Sequence, residues 1–322
     1  MGKEAQNAQG LDSAAAPLTG SGPSATGNVS FVHFGALAAL AGAVFLWSGS
    51  FIAMKMALAA FHPIYIVFMR MLVSLLLLAP FLPGWRRKSR YAKGDWRIIA
   101  LMVISEPCFY FLFEGYALRY TSASQASMII ALMPLTVAAA AWFFFRERLS
   151  GAAWVGFFLA FGGVVWLTLA GEGSEFAPNP LLGNSLEFGA VIMATGYTLC
   201  ARRLRGYPPF FLVAMQAGGG AVFFGLLVLL MPDVIPGEFP LQPLIGMLFL
   251  CGITCAAYGL YNLGIARLSA SRAAAWMNAI PGLTLLMGFF FLGETLTPAQ
   301  YCSLLPIAVG LLLSQMGKFT AH

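Results

Sequence analysis

Two glutamates, Glu106 and Glu114, stand on one continuously apolar run, with Tyr110 midway between them. Positions i, i+4 and i+8 drift slowly around a helix, so the three side chains share a face. Counted from Trp96 at about 1.5 Å per residue, Glu106 lies near the middle of a hydrocarbon core about 30 Å thick. Glu114 lies near its outer end. A carboxyl at mid-depth is costly to ionise and is a functional candidate by default. It can hold a proton, pair with a cationic substrate group, or alternate between the two. Lys55, Arg70 and Arg119 fall toward the same outer side, where each could join Glu114 in an ion pair or gate. Arg70 also suits a substrate carboxylate. Glu187, near the outer start of another run, reads as interfacial.

A second set of residues suits contact with a ligand that has planar or apolar parts. Trp47, Ser48, Tyr197, Tyr258, Asn262, Trp276 and Asn278 are the deepest polar-tipped or aromatic residues of their runs. Trp and Tyr offer a large flat surface with one polar handle. With Glu106 and Tyr110 they form the expected substrate-binding set. Plain packing competes with this reading, because aromatic residues make up 14% of the chain.

Enzyme chemistry finds little support. The three histidines, His33, His62 and His322, all lie at a terminus or an interface. No Gly-x-Ser-x-Gly elbow, His-Glu-x-x-His pair or phosphate-binding P-loop occurs. Cys108, Cys200, Cys251, Cys255 and Cys302 fall in or beside apolar segments, where cysteine acts as a small hydrophobe. Neither a metal nor another cofactor is expected.

The elements that must position these residues follow from composition. Apolar residues make up 60% and charged residues 9% of the 322, and the mean hydropathy is +0.81. Soluble domains carry about 25% charged residues. Ten apolar runs emerge, at about 34–56, 63–83, 96–116, 122–144, 150–170, 183–202, 208–231, 241–264, 271–292 and 298–317. Each is near the roughly 20 residues that a membrane helix needs. The fold class is therefore an all-α polytopic membrane protein with ten transmembrane helices. Thr297-Pro298 reads as an N-cap followed by proline at the first helical position.

The chain also repeats itself at an offset of 147 residues. Ser122-Ala123-Ser124-x-Ala126 returns as Ser269-Ala270-Ser271-x-Ala273, and Pro134 as Pro281. Phe143-Phe144-x-x-Glu147-x-Leu149 returns as Phe290-Phe291-x-x-Glu294-x-Leu296. Nine of 29 positions are identical between 122–150 and 269–297. Five helices per copy is an odd number, so the second copy inserts upside down. Such inverted repeats place a substrate site between the halves and supply alternating access. Pro134 and Pro281, each mid-run, predict matched helix breaks at that interface. Glu147 and Glu294 read as loop anchors bonded to helix N-terminal amides.

Orientation follows from the basic residues. With both termini cytoplasmic, 15 of the 18 Lys and Arg lie inside, as the positive-inside rule requires. The net charge of +6 then reflects basic loops against anionic lipid, with no nucleic-acid partner.

Ten helices in a five-plus-five repeat resemble the EamA-type transporters of the drug/metabolite transporter superfamily. Leu46-Trp47-Ser48-Gly49-Ser50-Phe51, Arg70 between His62-Pro63 and Pro80, and the paired segments 121–150 and 268–297 carry the likeness. It covers about residues 34–317. The resemblance implies a central cavity lined by helices 1–4 and 6–9, with helices 5 and 10 peripheral. It also implies export or facilitated movement of small metabolites, aromatic or amphipathic amino acids among them, as in YddG-like exporters. A multidrug efflux carrier is the alternative, and a channel or receptor-like membrane protein a more remote one. The expected organisation is a disordered cytoplasmic tail at 1–32, repeats at 33–172 and 173–318, and a short tail at 319–322. The expected partners are a small-molecule substrate, the lipid bilayer of a plasma or bacterial inner membrane, and a second copy in a homodimer.

Overall fold

A computed structural model describes residues 25–89, 92–146, 149–204, 206–265 and 276–316. These form ten helical segments: α1 Ala25–Leu58, α2 Pro63–Lys88, α3 Asp95–Tyr120, α4 Ala123–Phe145 and α5 Gly151–Leu169 in the first half. In the second half they are α6 Pro180–Arg203, α7 Pro209–Leu230, α8 Leu241–Ile265, α9 Ile280–Leu292 and α10 Pro298–Met316. Seven are long and apolar enough to cross a membrane by length and composition. The other three are α6, which carries polar residues along its length, and the shorter apolar α9 and α10. The first helix begins at Ala25, before its apolar run.

Short polar residues fix where the helices start. Ser122, Ser150 and Asn179 each accept a hydrogen bond from the amide three residues on, at 3.1, 3.1 and 3.2 Å. Thr297 Oγ1 accepts from Gln300 N at 3.2 Å, while Gln300 Oε1 accepts from Thr297 N at 3.0 Å. That reciprocal pair satisfies two amides that a bare helix end leaves open. His62 caps α2, its Nδ1 accepting from Ile64 N at 3.4 Å. Partial burial, and then the charge of Arg119, lower its pKa below the ordinary value and keep the acceptor nitrogen unprotonated.

Contacts between helices follow the repeat. The largest are α1 with α8, α5 with α10, α2 with α7, and α3 with α6. Exchanging the halves turns α1–α8 into α6–α3 and maps each of the other pairs onto itself. α5 and α10 meet so closely that a Cβ on Gly156 would lie 2.5 Å from the Gly310 oxygen. The side chains of Phe143, Phe144, Leu229, Leu230, Phe290 and Phe291 are exposed, as lipid-facing surface requires. Inside, Ser, Thr, Asn, Gln, Arg and Glu side chains are buried at the helix contacts.

Candidate functional site

Three helices break where they approach the centre. α4 is interrupted by a turn at Ala131 and Leu132, just ahead of Pro134. The second half has the same interruption at Asn278 and Ala279, ahead of Pro281. The third break has no repeat counterpart and lies in α3. Residues Ile104–Phe109 form a wide π-type turn, and Glu106 has an extended backbone, φ −141° and ψ 119°. Wide turns of this kind concentrate at functional sites, because they re-aim side chains and free backbone groups. Here α7 accommodates the break by having no side chain at Gly219 and Gly220. A Cβ on Gly220 would lie 2.6 Å from Pro107 Cγ and 2.8 Å from Met71 Cγ.

The break turns Glu106 into a small cavity lined also by Met71, Pro107, Phe111, Val213, Gln216, Ala217, Thr254 and Tyr258. Its side chain is buried, and Tyr258 OH donates to Oε1 at 3.0 Å. Gln216 Nε2 donates to the backbone oxygen of Glu106 at 3.1 Å, serving a carbonyl taken out of the helix ladder. Arg70 approaches from α2. Its Nε donates to Thr254 Oγ1 at 3.0 Å, and its guanidinium lies 4.3 Å over the Phe111 ring. It is buried, and its charge acts on Glu106. The buried carboxyl of Glu106 thus opens on the cavity, while the buried cation Arg70 stands behind its wall, held by the lining residues Thr254 and Phe111.

Aromatic residues extend the site. Trp47 meets Tyr258 edge to face, with centroids 5.7 Å apart, and Tyr261 at 5.3 Å. Tyr197 is half-buried and within electrostatic reach of Glu106. Ser48 is fully buried and bonds the Val44 carbonyl at 2.8 Å and the Ile280 carbonyl at 3.4 Å, tying α1 to the start of α9. Trp276 packs against α1, and Asn278 sits half-buried in the α9 break. The Asn262 side chain and the whole of Glu147 lie outside the described residues.

The expected ion-pair cluster takes a different form. Lys55 directs its ammonium to the carbonyls of Leu118, Thr121 and Phe176 at 2.9, 3.0 and 2.7 Å. A cation there satisfies the open carbonyls that end α3. Arg119 is exposed. Arg70 is drawn aside by Thr254 and Phe111, while Glu114 accepts from Tyr110 OH at 2.7 Å. Tyr110 thus serves Glu114 and not the Glu106 cavity. Glu187, expected at an interface, is wholly buried. Glu294 does bond helix N-terminal amides, and those of the opposite half. Its oxygens accept from Ala123 N at 2.9 Å, Ser124 N at 3.0 Å and Ser124 Oγ at 2.8 Å. Beside it, Thr121, Gln125, Thr168 and Asn184 form a buried polar network that closes this end of the bundle.

Gln216 and Thr254 are not among the residues expected from sequence, and Glu187 is expected there only as an interfacial residue. Gln216 is the one amide on an otherwise apolar α7, and Thr254 lies one helical turn from Tyr258. Those are the signals that mark the first two.

Comparison with known proteins adds the ancestry. The profile of the EamA-like transporter family matches twice, at residues 33–169 and 181–316. An uncharacterised transporter of Archaeoglobus fulgidus is 25% identical over 79% of this chain and 88% of its own length. The uncharacterised transporter YwfM of Bacillus subtilis is 26% identical over 84% of this chain and 90% of its own. A solved crystal structure, 19% identical, superposes with a TM-score of 0.60 over 90% of this chain and 97% of that one. The last shows a shared fold.

Proposed function

The chain belongs to the EamA-like transporter family, and on that footing we propose that it is a secondary carrier of zwitterionic metabolites, amino acids with aromatic or amphipathic side chains foremost. The observation that carries this reading is the buried carboxyl of Glu106 at a small cavity whose lining residue Thr254 holds the buried cation Arg70. Glu106 takes the substrate ammonium and Arg70 its carboxylate, two charge-assisted contacts that a neutral solute cannot make. Trp47 and Tyr258, edge to face beside them, provide the wall for the side chain. Selectivity of this kind is strong because either buried group, left unpaired, is costly.

Movement comes from the repeat. With the basic loops cytoplasmic, the end closed by Glu294 and the Asn184 network faces outward, so the conformation seen here is shut to the outside. Exchanging the roles of the two halves closes the opposite end and opens this one. The carrier works in the plasma membrane, or the inner membrane of a bacterium, and either exports substrate or facilitates its passage. The matched breaks in α4 and α9 are where the halves hinge.

The test is counterflow. Purified protein in sealed vesicles, preloaded with each of a panel of unlabelled amino acids, should accumulate the labelled form of its substrate transiently above the outside concentration, driven by the outward gradient of the preload. A channel gives no overshoot. Uptake of neutral drugs with no amino acid exchange would replace this reading with the multidrug one.

A further inference from the structure

Among the described residues, the buried side chain whose polar atoms lack a hydrogen-bond partner lies outside the Glu106 cavity. Glu187 on α6 is wholly buried, and neither of its carboxyl oxygens has a hydrogen-bond partner. Its helix packs on α3, which carries the buried carboxyl of Glu114. Glu114 in turn accepts from Tyr110 OH at 2.7 Å. Arg70 of α2 acts on Glu114, and Glu106 acts on Tyr110. A bare carboxylate sealed from water with no donor is strongly disfavoured.

The repeat supplies a control. Residue 187 corresponds to Leu40 at the 147-residue offset, and residue 114 to Tyr261. Leu40 is fully buried on α1, and Tyr261 of α8 packs against it. The α1–α8 and α6–α3 contacts are the same helix pair in the two halves. One copy of this address is filled by a leucine and a tyrosine, the other by two carboxyls. The architecture is satisfied by the apolar version, so the acidic version is there for something other than packing.

We propose that Glu187, with Glu114 on the facing helix, is the proton-coupling site of this carrier, Glu187 carrying the proton in the conformation seen here and releasing it to water when the α3–α6 contact opens. This rests on the carrier reading above. A proton fits better than a metal cation, which needs six or more oxygens for calcium and octahedral oxygens for magnesium. Among the described residues no group of three or more His, Cys, Asp or Glu converges. The link to substrate is Arg70. Once ionised, Glu114 competes with the substrate carboxylate for that guanidinium, so proton and substrate influence each other reciprocally.

Infrared difference spectra of the full-length protein between acid and alkaline pH should show the carbonyl band of a buried protonated carboxyl. Glu187→Gln and Glu187→Leu should both lose it. Glu187→Leu installs the residue of the other repeat, so it should fold and melt at or above the parent temperature. In vesicles, a trapped pH-sensitive dye should report substrate-driven proton movement in the parent and none in Glu187→Leu, while label exchange at equal pH persists. An infrared band unchanged in both variants overturns the proposal, as does proton movement surviving in Glu187→Leu. Dependence on sodium at fixed pH in place of dependence on pH does the same. Vesicles that exchange no amino acid at all would refute the substrate reading, while the infrared titration would still decide the proton site.

Discussion

At the scale of single residues, the site is defined by what Glu106 and Arg70 can pair with. Glu106→Gln keeps the shape and still accepts the Tyr258 hydroxyl, but it removes the charge that meets an ammonium. Apparent affinity for a zwitterionic substrate should fall by about tenfold or more, at about 1.4 kcal/mol per factor of ten, measured by counterflow at varied substrate. Arg70→Lys should do the same, because an ammonium lacks the planar fork that grips a carboxylate. A second prediction concerns Glu294, which satisfies two amides and a hydroxyl at the start of α4. Truncating it in Glu294→Ala strands those donors, and bonds to charged groups are worth about 1.5–3 kcal/mol each. The variant should melt at a lower temperature, with Glu294→Gln intermediate. Glu106 and Arg70 were legible in the sequence because an ionisable residue inside an apolar run is rare enough to stand out. Glu187 was misread for the opposite reason. Asn184 and Ser185 precede it, so the segment looked like a polar helix entrance, whereas α6 is packed on α3 and α4 rather than exposed to lipid.

At the scale of helices, the boundaries were nearly all readable, since each apolar run ends at a turn or cap within a few residues of the observed helix. The breaks near Pro134 and Pro281 were visible because the same residue recurs at the same place in both copies. The break at Glu106 was not, although Pro107 follows directly. A lone proline in an apolar run signals a kink, and only the three-dimensional fit to Gly219 and Gly220 shows that the backbone turns far enough to re-aim a side chain. That fit yields a third prediction. Gly220→Val places branched carbon against Pro107 and Met71, where even a Cβ is too close. Overpacking of this kind costs about 1–3 kcal/mol, and here the strain falls on the turn that presents Glu106. The variant should lose substrate binding more than it loses folded protein, by ligand-dependent melting against expression level. Gly218→Ala is the internal control, since its Cβ would meet Leu75 at an ordinary 3.6 Å and should leave both readouts unchanged.

At the scale of the whole molecule, the two repeats pair their helices in the same way, yet the chemistry is not duplicated. Glu106, Arg70 and Tyr258 have Ile253, Ala217 and Phe111 as their repeat counterparts. The helix pairing is symmetric and the residues at the Glu106 cavity are not; in the carrier proposed above, one such site serves two openings related by a rocking of the halves. The inversion itself makes a prediction that can fail cleanly. Arg86 and Arg202 lie in the last turns of α2 and α6, so a five-helix repeat puts both on one face of the membrane, the cytoplasmic one by the distribution of Lys and Arg. Single cysteines placed beside each residue, in a background without the five native ones, should both resist an impermeant thiol reagent added outside intact cells. Both should react in inverted membrane vesicles. Labels appearing on opposite faces would break the five-helix count, and with it the equivalence of the α1–α8 and α6–α3 contacts. A cysteine at Ser124, under the Glu294 cap, reports the motion. On the carrier reading proposed above it should be protected from the external reagent in the parent and become reactive in Glu294→Ala, because removing the Glu294 bonds to Ala123 and Ser124 shifts the population toward a state open at that end.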